Sequence, residues 1–96
     1  MLISKRGKPA RDRAHMAKVA QLPCVICSAR PVQVHHVIHG RHSQRRAPDT
    51  ETIPLCFRCH TDLHSFPNAW KRQHGEDHSY LDRVADALRQ LEANTI

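Results

Sequence analysis

Residues 51–64 read ETIPLCFRCHTDLH. Thr52 to Leu55 is a short apolar run rich in strand-forming residues, and it leads directly into Cys56 and Cys59, two positions whose spacing lets one tight turn offer two sulfurs to one metal ion. His60 and His64 follow, four residues apart. On a helix that spacing points both imidazoles from one face, where they can share an ion. The stretch therefore predicts a strand that passes, at a cysteine pair, into a helix carrying two potential ligands.

Working outward, a second pair with the same spacing, Cys24 and Cys27, lies upstream. Two such pairs match a tetrahedral zinc site made of four thiolates, which is closed and structural. Twenty-eight residues separate Cys27 from Cys56, enough for an inserted functional element. That insert contains PVQVHHVIHG from Pro31 to Gly40, whose alternation predicts a strand with Val32, Val34, His36 and Ile38 on one face and Gln33, His35, Val37 and His39 on the other. A polar, basic loop follows from Arg41 to Asp49, with His42 inside it. The second strand would bring the helix of His60 and His64 back against His35 and His36, and three histidine ligands with open positions make a plausible catalytic metal site. The bland reading makes His35 or His60 a core histidine, or one that only supports the zinc ligands.

The flanks predict helices. Residues 1–10 read as a flexible basic arm, and Ala14, Ala17 and Val19 to Leu22 as a helix closed by Pro23. Phe66 to His74 reads as a short helix, with Pro67 in its first turn, Gly75 just past its end and Trp70 facing inward. Ser79 and Asp82 resemble a capping box opening a last helix, on which Leu81, Val84, Ala85, Leu88 and Leu91 form one stripe. Residues 11–96 thus make one small α+β domain stapled by zinc.

Ninety-six residues with a mean hydropathy of −0.60 bury only a thin core, which makes a metal staple valuable. The formal charge is +6, with basic residues grouped at the start and around Arg41, Arg45 and Arg46, which suits a polyanionic partner. No apolar stretch resembles a secretory signal or a membrane span, so the expected compartment is the cytoplasm, where thiols stay reduced and favour metal over disulfide.

HHVIH at residues 35–39, then ETIPLCFRCHTDLH, bracketed by the cysteine pairs, resembles the HNH or ββα-metal nuclease motif over residues 24–64. The resemblance implies that His35, His60 and His64 hold a catalytic divalent ion, Mg²⁺, Mn²⁺ or Zn²⁺, beside the structural Zn²⁺. It implies that His36 is the general base, and that DNA is cut to leave a 5′-phosphate and a 3′-hydroxyl. Glu51 stands where that family has an asparagine that braces the loop and orients the base, so Glu51 joins His36 as an expected catalytic residue. The sequence onward through AWKRQHG to about residue 90 is similar to a phage-type branch of these nucleases that acts with a RecA recombinase filament. Arg41, Arg45 and Arg46 would then meet phosphates without reading sequence. The competing expectations are a zinc-stabilised nucleic-acid-binding module without cleavage and a phage-encoded interaction protein.

Overall fold

The computed structural model describes residues 12–38 and 47–93. The expected basic arm, the loop arginines Arg41, Arg45 and Arg46, and His39 and His42 lie outside the described residues.

The first helix, α1, spans Arg13–Val19 and starts at Asp12, whose carboxylate accepts from the main-chain N–H of His15. It is shorter than the apolar run to Leu22 predicts. Pro23 disfavours helical backbone at the residue before it, and the chain winds down through Gln21 N–H to Lys18 O and Leu22 N–H to Val19 O. Val19 and Leu22 are nevertheless both buried, so these positions serve the core without the helix.

A tight turn carries Cys24 and Cys27, closed by Ser28 N–H to Cys24 O and Cys24 N–H to Ala29 O, with Ser28 in the left-handed region at φ 67°. Strand β1, Val32–His36, pairs antiparallel with β2, Thr52–Cys56, in a register that sets His35 opposite Ile53 and His36 opposite Thr52. Val25 donates its N–H to Pro54 O at 3.0 Å, which pins the cysteine turn to β2. Proline cannot donate to a ladder, but its carbonyl can still accept.

β2 is the centre of the fold. Thr52, Ile53, Pro54 and Leu55 are all buried, and the strand touches α1 and both of the helices described next as α2 and α4. Its unbroken apolar run reflects burial on both faces. Helix α2, Phe57–Ser65, follows without a loop and buries Cys59 and Leu63. Helix α3, Pro67–His74, ends at Gly75, whose φ of 85° suits a residue without a side chain. Trp70 is 3% exposed and its ring meets those of His74 and Tyr80.

A 3-10 turn, Asp77–Tyr80, then runs straight into α4, Leu81–Ala93. The capping box expected at Ser79 does not form. Ser79 Oγ instead donates to Glu76 O inside the turn, because the preceding turn already continues into the helix. Four of the five stripe residues serve the core: Val84 and Leu88 are buried, and Leu81 and Leu91 pack against it, whereas Ala87 and not Ala85 joins them.

The result is a small α+β fold with a two-stranded sheet and four helices among the described residues. No described helix is long and apolar enough to cross a membrane.

Candidate metal centres

Three local elements place the four cysteines. Cys24 and Cys27 come from the turn fastened to β2, Cys56 is the last residue of β2, and Cys59 lies in the first turn of α2. Their sulfurs all lie within 4.8 Å of one another. Cys27 Sγ is 3.6 Å from Cys56 Sγ and 3.9 Å from Cys59 Sγ. Tetrahedral thiolates about 2.3 Å from zinc stand about 3.8 Å apart, so the four cysteines could hold one zinc ion as they stand.

Their acidities fit the same use. Burial pushes the Cys24 thiol up, but main-chain N–H groups of Cys56, Cys27 and Ile26 outweigh it and bring the pKa down to about 7. Cys59 moves the other way, raised by burial and then by its neighbours Cys56 and Cys24. Crowded thiols oppose one another's ionisation, and a divalent cation among them removes that opposition.

A second cluster forms where α2 packs against β1. His60 and His64 project from α2 one position beyond buried Cys59 and Leu63, and β1 presents His35 to them. The ring centroids are 5.0 Å apart for His35 and His60, 5.3 Å for His35 and His64, and 4.8 Å for His60 and His64. One nitrogen from each ring lies within 4.8 Å of the others, a donor set that could hold a metal ion. The sequence-derived trio is thus brought together.

Two neighbours orient these rings. Asp77, fully buried, accepts from His35 Nε2 at 2.8 Å and from the Ile38 N–H at 2.7 Å. An ionised carboxylate has no proton to give, so the imidazole supplies it, and Nδ1 is left with its lone pair. Gln33, on the same face of β1, accepts from His60 Nδ1 at 2.6 Å and leaves Nε2 in the same condition. Sequence reading missed both. Gln33 was legible as a face-sharing neighbour of His35, whereas Asp77 arrives only through the tertiary fold.

His36 points to the opposite face of β1, as alternation requires. Its Nε2 donates to Asp49 Oδ1 at 2.9 Å. Glu51, expected to orient His36, is exposed. Its main chain does the bracing: Glu51 N–H closes a turn on Pro48 O, and Glu51 O accepts from Val37 N–H. That turn carries Asp49 to His36, so the carboxylate facing the ring stands two residues before the expected one.

Burial first, then the positive charge that His35 and His64 would carry, lowers the His60 pKa from 6.5 to about 4. His64 is lowered too, by burial and then by His35. Neutral imidazoles are the form that binds a cation.

Comparison with known proteins gives one positive finding: a family described as "Protein of unknown function (DUF968)" matches residues 1–91. No match is found among curated proteins or among solved structures.

Two outcomes follow from this geometry. The purified chain is expected to carry one zinc per molecule, and chelation should abolish its cooperative unfolding. A folded, metal-free chain measured by circular dichroism and elemental analysis would contradict this. For His60, the ring is neutral in folded and unfolded chains above about 6.5, and the depressed pKa has no effect there. As pH falls from about 6.5 toward about 4 the unfolded chain takes up the proton first, and the fold loses stability. Denaturation across this window should show a smaller acid-side loss for His60→Gln than for the unsubstituted protein, with both compared at equal zinc content.

Proposed function

The chain belongs to the DUF968 family, and we propose that it is a metal-dependent DNA endonuclease of the HNH type, with His36 as general base and His35, His60 and His64 as ligands of the catalytic ion. The observation that carries this reading is the convergence of those three imidazoles, with ligand nitrogens within 4.8 Å of one another, one of them from His35, the neighbour of His36 in sequence. A cluster that only filled the core would have no need of three mutually facing rings, of which His64 is exposed. The net charge of +6 supports a nucleic-acid substrate.

The donor set fits a divalent cation: three imidazole nitrogens, two of them on rings oriented by Asp77 and Gln33. Mg²⁺, Mn²⁺ or Zn²⁺ held there would supply positive charge toward the phosphate and the departing oxygen. The chain's own residues do the rest. His36 Nδ1, which the Asp49 contact leaves with its lone pair, accepts a proton from water as the water oxygen bonds to phosphorus. The bond from phosphorus to the 3′-oxygen breaks, and that oxygen takes a proton from solvent, leaving a 5′-phosphate and a 3′-hydroxyl. The zinc-bound cysteines take no part in the reaction and hold the strand and helix that present these groups.

The test uses the zinc-loaded protein with supercoiled plasmid and with single-stranded DNA, plus Mg²⁺ or Mn²⁺, with and without a RecA-type recombinase and ATP. Cleavage is expected in at least one condition and should fall on the order of 10²- to 10⁴-fold in His36→Ala. Cleavage that survives this substitution removes His36 from its role. DNA binding without cleavage in any condition returns the chain to a zinc-stabilised binding module. Replacing Asp77 by Ala should weaken the second metal by about 10- to 100-fold in calorimetric titration while zinc content stays constant. Unchanged affinity would show that Asp77 does not support that site.

A further inference from the structure

We infer that Asp49 is the positioning residue of His36, fixing which ring nitrogen carries the proton, and that the main-chain N–H of Asp12 in turn fixes Asp49. This deepens the proposed nuclease reading and rests on it for its catalytic consequence, although the proton placement stands on the geometry alone.

The Asp49 side chain is only 5% exposed and uses both oxygens. Oδ1 accepts from His36 Nε2 at 2.9 Å, and Oδ2 accepts from Asp12 N–H at 2.8 Å. The second contact joins the start of α1 to the hairpin connection, over a separation of 37 residues. Asp12 is itself held, because its own carboxylate caps α1 at the His15 N–H. The main chain of Asp49 is fixed as well: its carbonyl accepts from Thr52 Oγ1 at 3.0 Å, and the turn from Pro48 to Glu51 is closed by a hydrogen bond. A carboxylate gripped on both sides selects one tautomer of a neutral imidazole, with the proton on Nε2 and the lone pair on Nδ1. The His36 side chain is not closed off: 18% of its surface stays open to solvent. When Nδ1 gains a proton, the adjacent carboxylate stabilises the imidazolium.

The position of Asp12 makes the inference testable by a near-isosteric change. In Asp49→Asn the amide must choose which end faces which partner. Asp12 offers only a donor, so the amide oxygen turns to it and the NH₂ group turns to His36 Nε2. Two donors cannot meet there, and the ring is driven to the other tautomer, with Nδ1 protonated and unable to accept a proton from water. The fold and both metal clusters keep their contacts, since neither Asp49 oxygen reaches a cysteine or a member of the histidine trio through these bonds.

The experiment is a long-range ¹H–¹⁵N correlation spectrum of the zinc-loaded, histidine-labelled protein in alkaline buffer, where imidazoles are neutral, with His36 assigned by its loss in His36→Ala. Nε2 protonation is expected in the unsubstituted protein and Nδ1 protonation in Asp49→Asn, at equal zinc content. In the cleavage assay kcat should fall on the order of 10²- to 10⁴-fold while KM changes little. Should the unsubstituted protein cut no DNA, the nuclease reading falls and the ring protonation still decides the Asp49 inference. The inference is overturned if His36 has the same tautomer in both proteins, if Asp49→Asn cuts within about threefold of the unsubstituted rate, or if Glu51→Ala loses more activity than Asp49→Asn.

Discussion

The β2–α2 junction gathers four sulfurs that could hold one zinc ion. Cys56 closes the strand and Cys59 enters the helix one turn later, so an ion bound to both, and to Cys24 and Cys27, fixes the angle between them. That angle aims His60 and His64. The magnitudes show what such a clamp would be worth to so short a chain. Structural zinc contributes apparent free energies of about 10–16 kcal/mol in small domains, comparable to the whole net stability of an ordinary domain at about 5–15 kcal/mol. Burying one Leu or Ile contributes only about 1.5–3 kcal/mol, and the ordering of the chain offsets most of that.

Within this frame, strand alternation divides the labour of two adjacent histidines. His35 faces α2 and joins a cluster of imidazoles, whereas His36 faces the turn before β2 and meets a carboxylate. Both rings donate from Nε2, one to Asp77 and the other to Asp49, and both thereby keep Nδ1 unprotonated. Burying a carboxylate is unfavourable unless hydrogen bonds compensate it. Asp77 and Asp49 each receive a ring nitrogen and a main-chain N–H, so the desolvation cost is met by the same contacts that orient the rings. These carboxylates also tie distant parts of the chain to the site: Asp77 brings in the segment before α4, and Asp49 the start of α1.

What the sequence made legible was local. Two residues between paired cysteines, three between helical histidines and alternation along residues 32–36 are short-range patterns with one geometric solution each, and all appear in the structure. Glu51 was misleading because the expectation was tied to an aligned position, while the geometric requirement was for a carboxylate near His36. The turn from Pro48 satisfies that with Asp49 and uses Glu51 through its main chain. Asp77 was illegible because its partner is 42 residues away. Ser79 and the end of α1 were misread for a different reason: cap and stop signals do not say whether a 3-10 turn intervenes, and in both places one does or the helix winds down through similar turns.

The central claim is that His35, His60 and His64 hold a metal ion distinct from the one held by sulfur. Pulsed electron paramagnetic resonance of Mn²⁺ added to the zinc-loaded protein tests it most directly. Imidazole nitrogen couplings to manganese are expected, and they should diminish in His60→Ala and again in His64→Ala while the zinc remains bound. A manganese spectrum without nitrogen coupling, or one that neither substitution alters, would contradict it.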